Sequence, residues 1–180
     1  MASAVGLAPA GVLLAALTVP SGAAAQSEGY VEPPRVSVAI GMMSARGTEF
    51  ESGIAGVIQL AVEPGRHRGV LRLAAGGDGR SDRGPGDFQE VALLYGRRGQ
   101  GIGPGWSVSA GLGLMSFDDC PDLGDRPIAR RSCTTVGVPF AIEAGTGSHH
   151  IGLSFQVAGN LNTQSSFFGA GLIVPIGWMP

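Results

Sequence analysis

Two adjacent histidines, one serine and a nearby glutamate are the residues whose types and spacing come nearest to doing chemistry. His149 and His150 follow Glu143 and precede Ser154, the ingredients of a Ser-His-acid hydrolase. In an extended segment Ser154 lies four residues from His150 on the same face, about 13 Å away by strand rise. A nucleophile and its base need an unbroken chain of hydrogen-bond contacts, so this set makes no catalytic unit. Solvated histidine at turns accounts for His67, His149 and His150 instead. A second cluster, Asp118, Asp119, Asp122 and Asp125, has the hard oxygen ligands that calcium prefers. Its spacing does not match a twelve-residue calcium loop, and Arg130 and Arg131 can neutralise the acids. The glycine-rich pieces at 76–79 and 99–103 have no helix following them, so neither cradles a phosphate. The expectation is no catalytic residue, no metal and no cofactor.

Cys120 and Cys133 are the two cysteines. In an exported chain they are expected to form a disulfide. That bridge would close the Asp118–Cys133 loop and order its backbone in advance, which makes this loop the place to expect an extracellular ligand.

Export is itself read from the N-terminus. Gly11 to Val19 is a short apolar core, followed by Pro20-Ser21-Gly22 and then Ala23-Ala24-Ala25. This pattern fits a signal peptide over 1–25 cleaved before Gln26, although no Arg or Lys precedes Arg35. The apolar run is too short for a spanning helix, which needs about 20 residues. Residues 26–34 form a proline-containing lead. The chain has no lysine, charged residues make up 14% and the net charge is −2. No basic face exists to bind nucleic acid.

The elements that must position these residues are strands. Val36-Ser37-Val38-Ala39-Ile40-Gly41-Met42 is apolar at even positions and small at odd ones, and the same comb recurs through Trp106–Leu114 and Ile151–Val157. Such alternation is a half-buried strand. Eight segments read this way: Arg35–Ser44, Glu51–Glu63, Gly69–Gly76, Phe88–Gly96, Trp106–Phe117, Thr134–Ala144, His149–Gly159 and Ser166–Trp178. Most have the nine to thirteen residues, roughly, that a tilted strand needs to cross a bilayer. Short connections after the second and sixth strands, against long ones after the third and fifth, fit short periplasmic turns and longer outer loops.

The apolar parity carries no ionisable side chain except the phenol of Tyr95. Tyr95, Trp106 and Trp178 share one end, as part of an aromatic girdle at a headgroup zone would. The opposite parity holds Gln59, Glu63, Arg72, Glu90, Glu143, His150 and Gln156 among many Gly, Ala and Ser. Buried charge demands partners. Glu63 could lie diagonal to Arg72, and Glu143 opposite His150, so the set reads as a hydrogen-bonded interior plug. A porin-like channel of useful width would need more strands. Pro139 and Pro175 fall inside combs, where each removes a ladder bond unless it marks a bulge; bulges are expected.

The eight combs, the loop asymmetry and the final strand Ala170, Leu172, Val174, Ile176, Trp178 together resemble small outer-membrane β-barrel proteins of the OmpA/OmpX type. Met179 and Pro180 follow the terminal aromatic, a departure from that type's terminal signal. The resemblance implies an all-β, closed, antiparallel up-and-down transmembrane barrel of eight strands over 35–180, seated in the outer-membrane lipid bilayer by the barrel-assembly machinery. It implies an envelope-anchoring, structural or loop-mediated binding role without catalysis. A lipid-modifying hydrolase is the enzymatic alternative. A soluble exported barrel with its faces inverted around an apolar ligand is the third reading.

Overall fold

The computed structural model describes residues 34–48, 52–77, 88–99, 105–118, 132–147 and 150–178. Every regular element among them is a strand: β1 (Arg35–Gly47), β2 (Gly53–Glu63), β3 (His67–Gly77), β4 (Phe88–Gly99), β5 (Gly105–Asp118), β6 (Ser132–Gly147), β7 (Gly152–Leu161) and β8 (Phe167–Trp178). Each pairs antiparallel with its neighbours in sequence, and β8 pairs with β1 to close a barrel of eight strands. The third strand, expected to be short, has 11 residues because it begins at His67. The signal peptide and nearly all of the lead lie outside the described residues.

Register fixes the size of the barrel. Following partners once around from Val36 runs through Val62, Gly69, Tyr95, Ala110, Phe140, Gly159 and Phe168, and returns to β1 at Arg46, ten residues along. With strands about 4.7 Å apart and a rise of about 3.3 Å per residue, that stagger tilts the strands by about 40°. The backbone then lies about 8 Å from the axis, leaving an interior that side chains fill.

The alternation decides which face is which. Outward positions such as Ile40, Met42, Leu93, Leu112, Leu114 and Val136 are 55–69% exposed, while their sequence neighbours Ala39, Met43, Ala92, Leu94 and Met115 are buried. Among the residues expected on the outer face, Phe140 and Val157 are half-buried. The reason at Phe140 is local: its ring lies across Gly159, where a Cβ would come within 2.9 Å of Cε1. A contiguous apolar surface of this extent has no counterpart on a soluble monomer. On β6 it runs from Val136 to Ala144, about 20 Å along the barrel axis at this tilt.

Neither proline marks a bulge. On both sides of Pro139 the β5–β6 register is unchanged, from Ala110↔Phe140 to Gly113↔Gly137, and only the two pairs between are missing. The β6–β7 ladder runs through Pro139↔Asn160 without a break. Pro175 keeps its partner Ala39 on β1 and falls between the end of the β7 ladder at Ser154↔Ile173 and the bridge Ile151↔Ile176, again with no shift. Each proline therefore omits ladder bonds toward one neighbour, a smaller disturbance than an inserted residue.

The connections use local chemistry. The β2–β3 turn closes with the His67 amide donating to the Pro64 carbonyl, and Gly65 supplies a φ of 62°, a left-handed conformation that glycine adopts without strain. Between β7 and β8 the Asn162 carboxamide oxygen accepts from the Gln164 and Ser165 amides, an Asx-type turn that makes this connection short.

Candidate functional site

The polar residues of the interior form two layers beneath an apolar cap. The cap contains Met43, Phe88, Met115, Phe117 and Phe167, with the Phe88 and Phe167 rings 4.5 Å apart. These were not singled out in the sequence, although each sits on the inward parity of its strand.

The central layer is built on Arg72, from the middle of β3. Its Nε donates to Glu90 Oε1 at 2.7 Å, Nη1 to the Phe140 carbonyl at 2.9 Å and Nη2 to the Gly159 carbonyl at 3.0 Å. Phe140 and Gly159 are register partners on β6 and β7, so the guanidinium spans the lumen and bonds the opposite wall. Asn160 Nδ2 donates to the second oxygen of Glu90 at 2.7 Å. Asn160 fits because Gly137 faces it without a side chain; a Cβ there would meet its Oδ1 at 1.8 Å. Arg72 and Asn160 are 0% exposed and Glu90 2%. These buried side chains cross the lumen from β3 and β4 to β6 and β7. Gln59 is also buried, opposite Arg72 on β2, and its carboxamide finds no protein partner among the described residues.

The second layer lies toward the β2–β3 turn. Arg68 Nη1 donates to Glu143 Oε2 and to Ser107 Oγ, and its Nε stands 3.4 Å from Glu63 Oε1. Arg98 Nη1 donates to Glu63 Oε2 at 2.6 Å, and Gln156 Nε2 to Glu143 Oε1 at 3.3 Å. Two arginines thus face two glutamates. Beyond them opens a cavity of about 300 Å³ lined by Arg35, Glu63, Arg68, Arg98, Ser107 and Glu143, among others.

The partners differ from those expected. Glu63 does not meet Arg72; it pairs with Arg68, the next position along the β2–β3 register, and with Arg98 from β4, while Arg72 takes Glu90. His150 is not an interior residue. It is exposed in the β6–β7 connection, where its carbonyl accepts the Gly177 amide. The register that was to place it opposite Glu143 places Gln156 there. Arg68 and Asn160 carry as much of the network as any residue named beforehand. Arg68 shares the even, inward parity of Arg72, which is the signal that could have found it; Asn160 falls just past the expected end of its strand.

No hydrolase site assembles among the described residues. The Glu143 carboxylate is held by Arg68 and Gln156, and Ser154 sits opposite Gly145 and Ile173. His149 lies outside the described residues. No group of three or more His, Cys, Asp or Glu that could hold a metal occurs among the described residues. Of the two cysteines, Cys133 packs partly buried against the apolar cap, opposite Phe117. Cys120 and most of the acidic loop lie outside the described residues.

At the opening of the second layer the outer surface is aromatic. Tyr95 and Trp106 are 59% and 53% exposed. His67 Nδ1 bonds the Tyr95 hydroxyl, and the two rings stack with centroids 5.9 Å apart. The backbone of Trp178 pairs with Val36 at the same end.

No protein-family pattern matches the sequence, and no curated protein does. Solved structures do. The N-terminal β-barrel domain of Pseudomonas aeruginosa OprF aligns at a TM-score of 0.54 and 15% identity, over 81% of this chain and 100% of that one. Ail, the attachment invasion locus protein of Yersinia pestis, aligns at 0.58 and 13%, over 82% and 99%, and has also been solved with the heparin analogue sucrose octasulfate. Neisserial surface protein A aligns at 0.52 and 10%, over 79% and 96%. At these identities the likeness is one of fold, and the fold of this chain is that of the small eight-stranded outer-membrane β-barrels.

Proposed function

We propose that this protein is an integral outer-membrane barrel without catalysis, anchoring in the envelope and binding through its outer loops. The observation that carries the reading is the pairing of an exposed apolar wall with an interior whose charges are bonded to one another. A wall like this is stable against lipid tails and unstable against water. An interior filled around Arg72 argues against a channel and an active site at that level of the lumen. The inverted, soluble reading has the opposite arrangement, with Val, Ile and Leu turned inward.

On this reading residues 1–25 are removed on export, 26–34 form a periplasmic lead, and the barrel-assembly machinery inserts the chain. The Asp118–Cys133 loop, closed by the Cys120–Cys133 bridge, faces outward and is the binding element. An epitope inserted after Gly124 tests the arrangement in a Gram-negative host. The tag should be labelled on intact cells and recovered in the outer-membrane fraction. Labelling only after permeabilisation would reverse the orientation, and recovery in the soluble fraction would end the reading.

A further inference from the structure

The belt around the turn end carries more than aromatic rings. Arg97 lies two residues beyond Tyr95 on the outward parity of β4 and is exposed. It pairs in register with His67 on β3, which puts their Cβ atoms about 5 Å apart. Arg66 is exposed in the adjoining turn, and its carbonyl accepts the Arg98 amide, which ties the turn to the end of β4. Neither Arg66 nor Arg97 pairs with a carboxylate among the described residues, whereas the inward Arg68 and Arg98 are both paired. Two guanidinium groups without a carboxylate partner among the described residues therefore belong to the rim of an apolar wall that also carries Tyr95 and Trp106.

We propose that Arg66 and Arg97, with His67 and Tyr95 between them, form a docking site for the headgroup phosphate of an anionic phospholipid. The inference rests on the outer-membrane reading and adds to it a lipid class and a leaflet. The wall below takes the acyl chains, the rings set the headgroup depth, and the guanidinium forks match phosphate oxygens. A zwitterionic lipid offers the same phosphate but cancels its charge with an ammonium group, so the site discriminates by net charge. If this end is periplasmic, the lipid comes from the inner leaflet. The opposite rim also carries an exposed arginine, Arg46, but its register partner there is the hydrocarbon ring of Phe168, and no histidine or phenol adjoins it among the described residues.

Both tryptophans of the chain, Trp106 and Trp178, belong to strand ends at this rim, so intrinsic fluorescence reports on it selectively. The experiment uses mature protein refolded into phosphatidylcholine–phosphatidylglycerol vesicles in which one lipid or the other carries acyl-chain bromine. The expected result is preferential quenching by brominated phosphatidylglycerol. The relative affinity should be about fivefold per arginine at low salt, fall at high salt, and disappear in Arg66→Gln/Arg97→Gln. Arg46→Gln should keep the preference, and retention of the heat-dependent gel shift would show that the variants fold. Equal quenching by both lipids in the unmodified protein would overturn the site while leaving the membrane barrel intact. Absence of quenching by either lipid would overturn both.

Discussion

Arg72 is the residue on which the interior depends most. Its charge is compensated by one glutamate, and its remaining donors hold carbonyls on the far wall. Removing one member of a buried ion pair leaves an uncompensated charge and costs about 3–5 kcal/mol, whereas replacing both by apolar groups of similar volume is often neutral. Arg72→Ala should therefore lower the urea midpoint of the detergent-refolded protein sharply, and Arg72→Met/Glu90→Leu should recover most of the loss. A single variant as stable as the parent would contradict the pairing. Gly137 gives a second test at this scale. Gly137→Ala drives a methyl into Asn160 Oδ1, an overpacking worth about 1–3 kcal/mol, and Asn160→Ala in the same chain should relieve it. Equal losses with and without Asn160 would contradict the contact. The proposed Cys120–Cys133 bridge closes a short loop and is worth about 3 kcal/mol. Thiol titration of the oxidised, denatured protein should find no free thiol; two would contradict the bridge.

At the scale of elements, the strands and their facing were legible in the sequence because each comb keeps its parity for its whole length. Ile40 and Ala39 announce opposite faces by chemistry alone, and a one-residue slip would put every apolar side chain on the wrong side. Element ends were less legible. His67 and Arg68 read as turn residues because they are polar, yet they begin β3, one exposed beside Tyr95 and one paired inside. Partners within the interior were not legible at all. Whether Glu63 meets Arg68 or Arg72 depends on the stagger between strands and on side-chain reach, and neither is encoded in the alternation. The stagger itself can be measured at the closure, where Ser44 on β1 faces Ala170 on β8 and both are exposed. In a Cys120→Ser/Cys133→Ser background, Ser44→Cys/Ala170→Cys should oxidise to an intrachain disulfide. Ser44→Cys/Val174→Cys, four residues out of register and about 13 Å away, should not. Efficient linking of the second pair alone would contradict the register.

The whole molecule divides its surfaces by chemistry: an apolar wall outside, neutralised charge inside, and an aromatic and basic rim at the turn end. Every one of these assignments follows from which face of the sheet meets lipid. The most direct measurement is a cold-versus-boiled gel shift on the mature chain from Gln26, refolded into detergent, with far-UV circular dichroism alongside. A closed barrel whose strands all have two partners resists dodecyl sulfate until heated, so the unboiled protein should give a β-rich spectrum and migrate apart from the boiled one. A chain that acquires its β-structure without detergent and migrates identically before and after boiling would contradict the lipid-facing wall, and with it the assignment of inside and outside.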